Sequence, residues 1–153
     1  MAEKKYKLDE VDSKILKELS GDGRLSFRNI AENLEIADGT VRTRVTRMME
    51  SGFLRISALI NPFFMENNIV AHIGMELESR TQREAMQQIS ELPGVLSVSS
   101  TAGTYDLIAE VYLESRTALN EFLFDKLSQI SGIKTTHTFV SLDAKDKWIE
   151  PRV

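Results

Sequence analysis

Residues 40–62 read TVRTRVTRMMESGFLRISALINP, and a change of period inside them divides the chain. Up to Glu50 the apolar residues recur at helical spacing. At about 100° per residue, Val41, Val45, Met48 and Met49 share one face, and Thr40, Thr43, Thr46, Arg47 and Glu50 lie opposite. Arg42 and Arg44 flank the apolar stripe, and Gly52 closes the helix. Beyond it, Phe53, Leu54, Ile56, Ala58, Leu59 and Ile60 are apolar and partly β-branched, which predicts a strand and linker ending at Asn61-Pro62. Proline continues neither a helix nor a ladder freely, so a domain boundary is expected there. The predicted organisation is a helical domain over 1–52, a hinge strand and linker over 53–66, a second domain over 67–143 and a tail over 144–153.

Upstream, LDEVDSKILKELSGDG (8–23) places Leu8, Val11, Ile15, Leu16 and Leu19 at helical spacing, with Asp9 as cap and Gly21 as closure. Ser26 caps a second short helix, SFRNIAENL, whose stripe is Phe27, Ile30, Ala31 and Leu34. The turn EIADG (35–39), containing Gly39, leads into the third helix. Two helices joined by a short turn, the second presenting donors opposite its apolar face, match the helix-turn-helix, whose second helix enters the major groove. Thr and Arg side chains bond base edges, and flanking Arg clamps phosphates. Thr43 and Arg47 are therefore the best base-reading candidates, Arg28, Arg42 and Arg44 are phosphate candidates, and Thr40 is a further DNA-binding candidate. A solvated face on an ordinary helix pair is the alternative left open by the wheel alone.

Downstream the pattern alternates. Strands are expected at 69–77, 95–101, 105–113 and 133–142, with helices at 79–92 and 115–130. A tight Ala102-Gly103-Thr104 turn should join the middle strands. The order is βαββαβ, the ferredoxin-like unit, so the fold class is α+β. His72 and His137 lie within apolar strands and read as sheet residues. Met48, Met49, Met65, Met75 and Met86 read as core or interface filler. Glu76, Glu78, Glu110 and Glu114 read as exposed charge rather than catalytic pairs. Trp148 is expected to pin the tail.

The chain has 153 residues and no Cys, which removes disulfides, thiolate nucleophiles and Cys-based metal sites. Two His exclude a His-rich metal site, and no cofactor is expected. No apolar run approaches the ~18 residues of a membrane helix, and MAEKKYKLDE lacks a signal-peptide apolar region, so a cytoplasmic location is expected. The net charge of −4 hides a split: residues 1–60 hold 11 Lys and Arg against 10 Asp and Glu, and residues 61–153 hold 8 against 13. A near-neutral half can still carry a basic face if its charges are sorted.

The chain resembles the Lrp/AsnC, or leucine-responsive and feast-famine, family of prokaryotic transcription factors. The matching residues run from Leu8-Asp9, Asp12 and Ile15-Leu16 through Asp22-Gly23-Arg24 and Ile30-Ala31 to Thr40-Val41-Arg42, Arg44-Val45 and Arg47. They continue through Gly52-Phe53-Leu54 and Ala58-Leu59-Ile60-Asn61-Pro62. Gly103-Thr104-Tyr105-Asp106 resembles the family's Gly-x-aromatic-Asp turn. Together these cover roughly residues 8–143.

The resemblance implies an N-terminal, winged-helix-like helix-turn-helix domain that binds double-stranded DNA. It implies a second domain whose open sheets pair into homodimers, which often associate into octamers. It also implies an effector, usually an amino acid, bound near the turn. On that basis Ala102, Gly103, Thr104, Tyr105, Asp106 and Phe139 are effector-site candidates. Gly103 would allow a tight bend and close approach, and Asp106 would accept from an ammonium group. A plain hairpin, with Asp106 capping backbone and Tyr105 in the core, is the alternative, and at Phe139 a core aromatic is the reading preferred over an effector contact. Thr104 stands where many relatives carry an acidic residue, so the effector can differ or be absent. A dimer would set two recognition helices one or more helical turns apart, about 34 Å each, on a pseudo-palindromic operator. Two rivals remain: an architectural DNA-binding protein of low specificity, and an enzyme resembling the sirohaem decarboxylases. Those enzymes carry a His/Arg-rich stretch after the hinge, where this chain has NPFFMENN (61–68).

Overall fold

The computed structural model describes residues 6–78 and 82–151. The start of the helix expected at 79–92 and the last residues of the expected tail lie outside them. The chain forms two compact units, residues 1–57 and 58–153.

In the first unit, α1 spans Glu10–Gly21, α2 Phe27–Leu34 and α3 Asp38–Glu50. Asp9 caps α1 by accepting from the Asp12 N–H at 2.8 Å, and Ser26 caps α2 by accepting from the Asn29 N–H at 3.1 Å. Each cap satisfies an amide that the first helical turn leaves without a partner. The apolar stripes meet in one core of Ile15, Leu19, Ile30, Ala31, Val41, Val45 and Met48. Burying a large aliphatic side chain is worth about 1.5–3 kcal/mol, so this core is what orients α3.

Three local expectations are corrected here. The second helix is closed by Glu35 at φ 54°, and α3 begins before Gly39, which lies in its first turn. Gly21 ends α1 within the helix, and the extended Asp22 follows it. Met49 is exposed, because Met48 and Met49 stand about 100° apart on the helix and only one can enter the core.

Gly52, at φ 73°, turns the chain out of α3. Within the hinge strand and linker expected over 53–66, residues 53–59 form no strand. The Phe53 and Leu54 N–H groups both bond to the Met48 carbonyl at 3.1 Å, so they have no ladder to join. Among the described residues of this segment only Ile60 makes a bridge, to Ile149, with N–H to carbonyl distances of 2.9 and 3.0 Å. That bridge also corrects the tail: Ile149 is buried and anchors it, whereas Trp148, its neighbour on an extended segment, points out.

In the second unit, β1 spans Ile69–Leu77, α4 Gln82–Ser90, β2 Val95–Ser100, β3 Leu107–Leu113, α5 Arg116–Glu121 and β4 Ile133–Val140. After α5 the chain stays helical through a π turn at Phe122–Lys126 and a 3₁₀ turn at Leu127–Gln129. The sheet is antiparallel in the order β2-β3-β1-β4, as a βαββαβ unit requires. One face carries the core: Ala71, Ile73 and Met75 of β1 and Leu107, Ala109, Val111 and Leu113 of β3, closed by Ala85, Ile89, Leu119, Phe122 and Leu127. Strand side chains alternate, so the opposite face presents His72, Gly74 and Glu76 beside Phe139, His137 and Thr135 of β4. No helix of the described residues is long and apolar enough to cross a membrane.

Candidate functional site

Val41, Val45 and Met48 lock α3 into the first core and turn Thr40, Thr43, Thr46 and Arg47 outward. Gly39, Thr40, Thr43, Arg44 and Arg47 line a shallow cavity of about 330 Å³ on that outer side. The arginines around it differ in their engagements. Arg28 bonds to Glu32 within α2 at 2.9 Å, and Arg42 reaches Asp38 within α3 at 3.6 Å. The Arg42 guanidinium also lies 5.4 Å from the centre of the Phe27 ring. Both arginines are exposed.

Arg44 turns away from solvent. Its Nη1 donates to Asp9 Oδ2 at 2.5 Å and to Asp12 Oδ1 at 2.8 Å, and its side chain is only 24% exposed. The Asp9 and Asp12 carboxylates raise the Arg44 pKa, and Arg44 in turn holds the Asp9 carboxyl below its ordinary range. Arg47 stays 56% exposed, with Nε donating to the Tyr6 hydroxyl at 2.9 Å and Nη2 to Asp12 Oδ2 at 3.1 Å. The Tyr6 hydroxyl bond, more than any other contact, raises the Arg47 pKa. Tyr6 also donates to Asp12 Oδ2 at 3.2 Å, and its ring stacks on Phe53 at 4.8 Å.

Asp12 is the one polar residue buried with the core among the described residues, and sequence reasoning passed over its role. The signal was present. Asp12 lies three and seven positions before Ile15 and Leu19, on the same stripe, where an acid requires cationic or N–H partners. Tyr6 carries no comparable signal, because its partners are distant in sequence.

Five of the six effector candidates fall on the loop after β2, and Phe139 lies on β4. Strand β3 begins at Leu107, so the expected three-residue turn is a six-residue loop, 101–106. Tyr105 and Asp106 are held as anchors rather than as strand. Thr101 closes the loop, its N–H bonding to the Asp106 carbonyl at 3.0 Å and its hydroxyl to the Tyr105 carbonyl. The Asp106 N–H bonds to the Met75 carbonyl at 2.9 Å, and its carboxylate accepts from the Leu77 N–H at 2.7 Å. Gln82 of α4 donates to the Asp106 carbonyl and the Ser100 hydroxyl.

Ala102, Gly103 and Thr104 are exposed at the tip. Gly103 is not in a left-handed conformation, and a methyl group there would meet nothing within 4 Å. The expected need for glycine at 103 is therefore not structural. The glycine that this face of the sheet requires is Gly74, against which the Tyr105 ring lies. Tyr105 packs on the open sheet face, 5.5 Å from His137 and 6.3 Å from Phe139, and not in the core. Phe139 is 54% exposed, so Tyr105, His137 and Phe139 form an aromatic patch beside the loop.

Near the middle of that face, Glu110 of β3 pairs with Lys147 and lies 3.4 Å from His72 Nε2, so it is not the solvated charge expected of it. No group of three or more His, Cys, Asp or Glu able to hold a metal occurs among the described residues.

Compared with known proteins, residues 8–55 match the family profile described as winged helix-turn-helix DNA-binding, and residues 70–147 the one described as Lrp/AsnC ligand binding domain. An uncharacterised HTH-type transcriptional regulator of Pyrococcus furiosus is 41% identical over 147 residues, covering 95% of this chain and 99% of that one. Among solved structures, E. coli AsnC superposes with a TM-score of 0.72 at 26% identity, covering 91% of this chain and 95% of that chain. A transcriptional regulator from Neisseria meningitidis, solved as an L-Met complex, shares the fold with a TM-score of 0.74 at 21% identity, over 95% and 97% of the two chains.

Proposed function

The chain belongs to the Lrp/AsnC family of helix-turn-helix transcriptional regulators, and we propose that it reads a pseudo-palindromic operator as a homodimer, through the outer face of α3. The observation that carries this reading is the sorting of α3, with Val41, Val45 and Met48 fully buried while Thr40, Thr43 and Arg47 stay exposed around one cavity. Thr43 and Arg47 then meet base edges, supported by Thr40, and Arg28 and Arg42 meet phosphates. Arg44 is the weakest of the six candidates, because its guanidinium is held by Asp9 and Asp12.

The open sheet face, with Phe139 exposed on it, supports dimerisation, and association of dimers into octamers is part of the same reading. An amino-acid effector would bind beside the 101–106 loop. There Tyr105 and Phe139 offer an apolar wall and Asp106 an acceptor already shared with Leu77. The names of the relatives favour a regulator over an enzyme of the same shape. A regulator of this kind acts in the cytoplasm.

The test is binding to the gene's own upstream DNA against a scrambled fragment at two salt concentrations. Preferential binding that weakens steeply with salt supports the reading. Equal binding to both fragments favours the architectural rival. No binding at low salt, where phosphate contacts are strongest, refutes the role of α3. For the effector, an amino-acid panel in a thermal-shift assay should stabilise the wild type and not Asp106→Ala. No shift with any amino acid would leave assembly as the second domain's role.

A further inference from the structure

The first helix treats the arginines of α3 unequally, and the atoms involved decide what each can still do. Arg44 directs one nitrogen at two carboxylates, and little of its side chain reaches water. It is an internal tie between α1 and α3. Arg47 is engaged along one edge only. Its Nε and Nη2 meet the Tyr6 hydroxyl and Asp12 Oδ2, which together mimic the two oxygens of a carboxylate. The other edge, formed by Nη1 and the second N–H of Nη2, has no partner among the described residues, and Arg47 lines the cavity that Thr40 and Thr43 share.

From this we infer that Arg47 reads a guanine through its Nη1/Nη2 edge, and that Tyr6 and Asp12 are positioning residues that aim it. The inference rests on the DNA-binding reading above and deepens it. Two parallel N–H donors match the O6 and N7 acceptors that guanine presents in the major groove, and no other base offers that pair. The buttress fixes the guanidinium plane before DNA arrives, which removes ordering that a free arginine would undergo on docking. Tyr6 is itself held, by its stack on Phe53 at 4.8 Å and 16° and by the guanidinium 5.4 Å from its ring centre. Charge points the same way. Asp9, Asp12, Arg44 and Arg47 sum to zero, so the cluster offers phosphates little attraction, and a base contact is what remains for Arg47.

The experiment selects bound duplexes from a randomised DNA pool, using wild type, Arg47→Ala and Tyr6→Phe, each first checked by thermal melting. The chosen duplex and its guanine-substituted versions are then titrated across salt. The wild-type pool should hold one guanine per half-site that Arg47→Ala no longer selects. Discrimination there should fall by roughly tenfold to a hundredfold, with the salt slope unchanged. Tyr6→Phe removes one hydroxyl. It should bind scrambled DNA as the wild type does and lose several-fold discrimination at that same position alone.

The inference is overturned if Arg47→Ala weakens all duplexes equally and lowers the salt slope by about one, the mark of a phosphate contact. It is also overturned if Tyr6→Phe leaves the guanine preference intact, or if the selected guanine is absent. A wild type that binds no duplex at low salt refutes the DNA-binding reading itself.

Discussion

Gly74 lies mid-strand in β1, opposite His137, with the Tyr105 ring against it. A methyl group added at Gly74 would stand 2.6–2.7 Å from three Tyr105 ring carbons. Carbon atoms pack at about 3.5–4.0 Å, so the overlap is about 1 Å against a rigid ring. Relief requires Tyr105 to swing outward, away from His137 and Phe139. That movement pulls on Asp106, whose N–H and carboxylate hold the end of β1 through Met75 and Leu77. Overpacking of this kind costs about 1–3 kcal/mol. At 2 kcal/mol, a domain of about 100 residues loses roughly 8–16 °C in melting temperature. Gly103→Ala is the control: nothing lies within 4 Å and φ is not positive there, so stability should hold or rise slightly. Far-ultraviolet circular dichroism during heating reads both variants. A Gly74→Ala melt within 2 °C of wild type, or a Gly103→Ala melt equally depressed, would refute this account of the loop.

Three further outcomes are expected. Phe122→Ala should cost the second domain about 3–5 kcal/mol in urea unfolding, because its fully buried ring closes the core at the π turn. Asp12→Ala should cost the first domain about 3 kcal/mol, low in the range for breaking a buried pair because Arg44 and Arg47 both retain some solvent access; urea unfolding followed by helical signal tests it. In acid, the Asp9 carboxyl, held below its ordinary value of 3.8 by Arg44 and then by the Asp12 N–H, contributes stability that is complete above that value. That contribution is lost as pH falls through the folded-state value. Melting of the first domain should therefore drop below about pH 4, and Asp9→Asn should drop less steeply; parallel curves would exclude Asp9 as the source.

What was legible in the sequence was local or periodic. The caps Asp9 and Ser26, the stripes of the three helices and the βαββαβ order all follow from neighbours within a turn or an alternation. What failed depended on partners far along the chain. Residues 53–59 have strand-like composition, yet a strand needs a ladder, and among the described residues the one isolated bridge there joins Ile60 to Ile149. Tyr105 and Asp106 look like the first residues of a strand, but Met75, Leu77 and the space over Gly74 hold them in the loop. The wheel placed Arg47 on the outer face correctly, but it put Arg44 beside the stripe as a phosphate clamp. Asp12 on another helix pairs with both; what distinguishes them is Asp9, which holds Arg44 at 24% exposure, and Tyr6, which holds one edge of Arg47 and leaves it 56% exposed.

That distinction bears on how such a domain holds DNA at all. Of the arginine candidates, Arg44 is committed internally, and Arg28 and Arg42 each stand beside a carboxylate one helical turn away. Exposed pairs of that kind are weak and screened by salt, so a phosphate can displace Glu32 or Asp38, but the displaced carboxylate stays near and repels it. Residues 1–60 carry one positive charge in excess, too few for long-range attraction to dominate. A single copy should therefore bind weakly, which is why the proposed reading places two copies on one site. Joining them makes the second contact intramolecular and raises its effective concentration. Under the dimeric reading, the second domain then controls DNA occupancy through assembly alone. On that reading, a ligand beside the 101–106 loop, next to exposed Phe139 on the open sheet face, would regulate the protein without altering any atom of α3.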